Sequence, residues 1–106
     1  MSKLTQTPIP RKITIGDTKY AIDSIEVMDR RRDMARIYYH QKRIEIAKKS
    51  NVTGKNFTDE KLQENFWHEV VHGILHDMGR HHLNSNEKFV IDFSKRLSAL
   101  IKSAKF

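Results

Sequence analysis

The chain has 106 residues, a net charge of +7, 38% hydrophobic and 31% charged residues, and no cysteine. That length leaves room for one domain with one core, and the missing cysteine excludes disulfides and thiolate ligands, so any metal must be held by His, Asp, Glu or water. No apolar run approaches a membrane span and the N-terminus lacks a signal-peptide core, so the expectation is a soluble cytoplasmic protein, away from membranes, whose basic charge suits anionic partners.

Residues 1–10, with Ser, Thr, Gln and both prolines, read as a flexible leader, and 11–106 as the single domain. Ile13 and Ile15 alternate with polar residues, Gly16-Asp17-Thr18 is a turn signal, and Tyr20 and Ile22 resume the alternation, which predicts a first hairpin. Ser24 to Met28 either extends the second strand or starts a short helix. After the Arg30-Arg31-Arg32-Asp33 turn, Ile37 with Tyr39 and then Ile44 with Ile46 predict a second hairpin joined near His40-Gln41. His40 itself receives no role. Lys48 to Asn56 is the linking loop.

Two helices follow. The first is expected from about Asp59 to Met78, with Thr58 as N-cap, Asp59 and Glu60 at the positive end of the dipole, and Gly79 as the stop. Leu62, Phe66, Val70 and Leu75, flanked by Trp67, Val71, Ile74 and Met78, give it a broad apolar face. The second is expected from Asn84–Asn86 to about Lys102, with a stripe of Phe89, Phe93, Leu97, Leu100 and Ile101. The predicted fold class is α+β: a small antiparallel sheet packed against these two helices.

The first helix carries His68-Glu69-Val70-Val71-His72. Histidines four apart project from one helical face, so their ring nitrogens can share one divalent ion. Glu69 points roughly 100° round the helix, toward the open side of such a site. A carboxylate there can take a proton from a zinc-bound water and make it a nucleophile, the HExxH arrangement of zinc-dependent peptidases.

A third protein ligand is needed, and Glu87, at the start of the last helix, is the first choice. The competing reading is that Asn84 and Glu87 form an N-cap and its N3 partner. Asp92 is the next candidate ligand. His76 continues the four-residue ladder, but His68 and His76 are about 12 Å apart along a helix, too far to share an ion. His76 is therefore a support behind the ligands or a rim residue, and His81 and His82 belong to the turn. The oxyanion-stabilising helper is open among Tyr38, Tyr39, His76, His81 and His82.

The run FWHEVVHGILHDMG, followed by NEKFVIDFSKRLSALI, resembles the compact zincin-like metallopeptidases, notably the ImmA/IrrE type and similar small proteins of phages and mobile elements. The resemblance covers the chain from Arg36 onward. A metzincin pattern fits poorly, since its third histidine would fall at Met78. The resemblance implies a minimal zincin-like fold and a zinc-dependent metallopeptidase, with His68, His72 and Glu87 as zinc ligands and Glu69 catalytic. It also implies a strand around Ile44 to Ala47 as the sheet edge that pairs with an extended substrate. The implied partner is a protein or peptide substrate, with a DNA-associated regulator suited to the basic charge. Two alternatives stand beside this reading: a catalytically weak zincin-fold protein that binds metal and a partner, and a basic nucleic-acid-binding phage regulatory module.

Overall fold

Both hairpins form where the alternation places them. In a computed structural model, which describes residues 9–105, β1 (Lys12–Ile15) and β2 (Thr18–Ile25) pair antiparallel with Ile15 opposite Thr18. Gly16 turns the chain at φ 60, a left-handed conformation that a Cβ disfavours, and the Asp77 carboxylate fills the space a side chain would need. Ser24 to Met28 resolves as strand up to Ile25. The second hairpin is β3 (Ala35–Tyr38) with β4 (Arg43–Ala47), also antiparallel.

The sheet is mixed, not antiparallel. Its order is β1-β2-β4-β3, and the central pair, β2 with β4, is parallel. The β2–β3 connection carries the chain past the position β4 will take, and the second hairpin then folds back inward. Asn51 pins this connection: its Nδ2 donates to the carbonyls of Met28 at 2.9 Å and Arg30 at 2.7 Å, and its Oδ1 accepts from the Arg32 N–H at 2.8 Å. One consequence corrects the expected substrate edge. Ile44 to Ala47 lies between two strands, with its main-chain groups engaged on both sides, and the edge strands are β1 and β3.

α1 (Asp59–Asp77) starts at Thr58, whose side chain accepts from the Lys61 N–H at 3.1 Å. It stops at Gly79, with φ 71, through Arg80 N–H to the Leu75 carbonyl and Gly79 N–H to the His76 carbonyl. This bonding pair is a Schellman stop, which a glycine permits. The short α2 (His81–Asn84) occupies what the sequence reading left as a turn. α3 (Glu87–Ser103) begins at the end of the expected range, with Asn86 as the N-cap, accepting from the Phe89 N–H at 3.1 Å. Glu87 therefore closes no capping box with Asn84. Among the described residues no helix is long and apolar enough to cross a membrane.

Phe66 and Val70 seat α1 on the sheet among Ile15, Tyr20, Ile44 and Ile46, and Ile9, from the expected leader, packs there too. Residues 1–8 of that leader lie outside the described residues. Gly73 faces Ile15 and Ile37 so closely that a Cβ would stand 2.7 Å from the Ile15 Cδ1, so the missing side chain sets how near α1 lies to β1 and β3. On the other side Val71 and Leu75 meet Val90, with Phe89 and Leu97 beside them. The expected apolar faces were too wide. Ile74 and Met78 are exposed, as are Phe93 and Leu100, while α3 buries Val90 and Ser94.

Candidate metal centre

α1 carries the two histidines one turn apart, and α2 turns the chain so that the first residue of α3 meets them. His68 Nε2 lies 3.0 Å from Glu87 Oε1, and His72 Nε2 lies 3.4 Å from Glu87 Oε2. Taking one donor atom from each residue, all three lie within 4.8 Å of one another. Tetrahedral zinc with bonds of about 2.0–2.1 Å needs donors about 3.3 Å apart, and each histidine stands at about that separation from one of the two Glu87 oxygens. Two imidazoles and a carboxylate also form a ligand set that zinc accepts without sulfur.

The protonation states fit as well. His72 Nδ1 and Asn84 Oδ1 are 2.6 Å apart. An amide oxygen only accepts, so Nδ1 carries the proton, and Nε2, on the Glu87 side, is the nitrogen placed to ligate. Asn84 Nδ2 in turn donates to the Tyr39 hydroxyl at 3.2 Å, and that hydroxyl donates to the His72 carbonyl at the long distance of 3.5 Å. Tyr39 stacks on His76, ring centroids 3.9 Å apart. Burial pushes the Tyr39 phenol up, which keeps it a neutral donor. Burial, with the neighbouring His72, holds His68 below its ordinary value, against the pull of Glu87. The neutral imidazole is the form that ligates.

Glu69 is 8% exposed, and burial, followed by the charge of Glu87, pushes its carboxyl up to about 8, with the Ile37 backbone N–H acting in the opposite sense. It lines, with His68, His72, Glu87 and Tyr39, a cavity of about 640 Å³ between α1, α3 and β3. Asp92 is not part of this group. It is an exposed residue of α3 whose Oδ2 accepts from Lys88 Nζ at 2.9 Å, a bond that holds its carboxyl below the usual range.

Of the five helper candidates, Tyr39 alone lines the cavity. Tyr38 belongs to the opposite face of the sheet, where its hydroxyl donates to Glu45 Oε1 at 3.0 Å. His76 serves as a stacking platform for Tyr39, His81 lies edge-on to His76, and His82 is exposed in α2.

Two residues escaped the sequence reading. Asn84, a cap candidate in the sequence, instead bonds the His72 ring. Asn65 also lines the cavity, is 5% exposed, and leaves its Nδ2 buried without a hydrogen-bond partner. A signal for Asn65 existed, since it stands beside Phe66 on the packed side of the helix, one turn before His68 and Glu69.

Loss of the Asn84 amide frees the His72 ring to rotate and to change tautomer. Asn84→Ala is expected to weaken zinc affinity by about 10–100-fold, the usual effect of removing a ligand's supporting hydrogen bond. Competition with a coloured chelator reads this directly, and an affinity equal to wild type would mean that Asn84 does not orient the ligand.

No family model, curated protein or solved structure matches this chain.

Proposed function

We propose that the chain is a zinc-dependent peptidase with a minimal zincin-like architecture. The observation that carries this reading is the meeting of His68, His72 and Glu87 from two helices, with Glu69 beside them on the wall of one cavity. Bound zinc would supply a Lewis acid that acidifies water, polarises a carbonyl and, as a nearby positive charge, favours the ionised form of Glu69. The chain's own residues do the rest. Asn84 fixes the His72 tautomer. Glu69 removes a proton from the attacking water and returns it to the leaving amine. Its burial keeps bulk water from competing for that proton.

β3 supplies the place for an extended substrate. Its outer edge is unpaired among the described strands, and the Ile37 N–H reaches toward Glu69. A peptide backbone added along this edge would run past the catalytic carboxylate. Tyr39 is the helper candidate beside the reacting carbonyl.

The test is zinc content after purification without chelator or nickel resin, together with cleavage of a random decapeptide library. Wild type is expected to hold about one zinc per chain and to cut peptides. His68→Ala should lose both, and Glu87→Ala should bind zinc weakly. A wild-type protein that takes up no zinc even when it is added back would overturn the proposal.

A further inference from the structure

The cavity is walled by cations that peptide hydrolysis does not use. Arg30 and Arg32 enter it from the β2–β3 connection, Arg36 from β3, Lys61 from the first turns of α1, and Lys95 from α3. Apart from Glu69 and Glu87, the carboxylates that line it are Asp33 and Glu64, and both are engaged: Asp33 pairs with Arg36, and Glu64 lies 3.9 Å from Lys61. Arg30, Arg32 and Lys95 form no ion pair with a described residue. Arg30 and Arg32 are largely exposed, so nothing in the fold requires their charge.

The connection that presents the two arginines is held in one shape. Arg32 has φ 73, a conformation that non-glycine residues rarely adopt; its N–H donates to Asn51 Oδ1, and Asn51 Nδ2 donates to the Met28 and Arg30 carbonyls before it. Both arginines therefore line the cavity from a backbone held in one shape.

Spacing sets what these cations can reach. Lys61 lies about 10 Å along α1 from His68, and Lys95 about 12 Å along α3 from Glu87. An extended chain advances about 3.3 Å per residue, so these cations stand about three residues from a bond placed at the triad. We propose that the substrate is an acidic peptide segment carrying Asp or Glu about three residues from the cleaved bond, its carboxylate held among Arg32, Lys61 and Lys95. This inference rests on the peptidase reading and adds the class of substrate to it. A nucleic acid would also meet the charge, but a phosphate backbone offers no peptide carbonyl to the triad and no strand to pair with β3.

Two measurements separate this inference from the reading beneath it. In the first, zinc-loaded wild type cuts a random decapeptide library and mass spectrometry locates the cut bonds. Asp and Glu should be enriched about tenfold at roughly the third residue to one side, and the enrichment should vanish in an Arg32→Ser/Lys95→Ser double variant. Cut bonds with no acidic preference, or a preference unchanged in the double variant, overturn the inference and leave the peptidase standing. In the second, zinc-loaded Glu69→Gln protein is titrated with fluorescein-labelled glutamate-containing, glutamine-containing and lysine-containing decapeptides at low and high salt. The acidic peptide should bind about tenfold more tightly, less so in the double variant and at high salt. Acidic preference in this titration without any cut bond in the library would support the recognition while the peptidase reading fails. Equal binding of the three peptides, or stronger binding of a single-stranded oligonucleotide that displaces the acidic one, overturns the acidic-peptide assignment.

Discussion

Glu69→Gln is expected to abolish peptide cleavage while leaving zinc in place. The amide is isosteric with the carboxylate but cannot accept a proton, and a positioned general base contributes about 10²–10⁴ in rate. The proposed ligands, His68, His72 and Glu87, are untouched, so zinc content should equal wild type. A variant that keeps full cleavage would remove Glu69 from the chemistry. A variant that stops cleavage but keeps the protein's biological activity would favour the metal-binding interaction protein over the enzyme.

The same substitution has a second readout in chelated, metal-free protein. Folding raises the Glu69 carboxyl from 4.5 to about 8, chiefly through burial. A group whose folded value is raised contributes its stability fully below the unfolded value and loses it as pH rises through the folded one. Between these two values wild type should therefore lose about 1.4 kcal/mol per pH unit from this group. Glutamine has no such slope. At pH near 5 the two metal-free proteins should unfold at similar urea concentrations, and near pH 8 the Glu69→Gln protein should be the more stable. Parallel pH profiles would mean that Glu69 is not buried as a carboxyl in the folded state.

Much of this was legible because it is local. Thr58 and Gly79 bound α1 through contacts within a few residues, and the alternation about Gly16 and about His40-Gln41 needs only the neighbouring residues to make hairpins. The spacing of His68 and His72 is a property of any helix. Sheet order is different in kind. The parallel β2·β4 pair joins Ala21 to Arg43 and Ile25 to Ala47, and the β2–β3 connection that allows it is held by Asn51, which lies beyond β4 in the chain. No local pattern marks an asparagine for that task. The same holds at the metal centre. Asn84 has the composition of a cap, and only the one-turn α2 brings its amide to His72. The apolar stripe of α3 misled for another reason. Periodicity gives a face but not its width, and Val90, not Phe93 or Leu100, meets Val71 and Leu75.

Phe66→Ala should produce the largest loss of stability among single core substitutions. Phe66 has no exposed surface, and it sits on α1 with Val70 against Ile44 and Ile46, on the side of the helix that faces the sheet. Removing the ring deletes buried area and leaves a cavity that the stiff β-branched neighbours cannot close, at a cost of about 3–5 kcal/mol. A domain of this size has about 5–15 kcal/mol in total, so the variant should melt some 15–30 °C lower. Phe66→Leu keeps most of the volume and should lose about a third as much. The effect reaches the candidate metal centre through one rigid body, because Phe66 and Val70 fix the seat of the helix that carries His68 and His72. Zinc binds the folded state alone in this scheme, so added zinc should raise the melting temperature of Phe66→Ala as ligand linkage requires. A loss below about 1 kcal/mol would show that α1 is held chiefly by α3. In that case Val71, Leu75 and Val90, not the sheet, would set the position of the histidines.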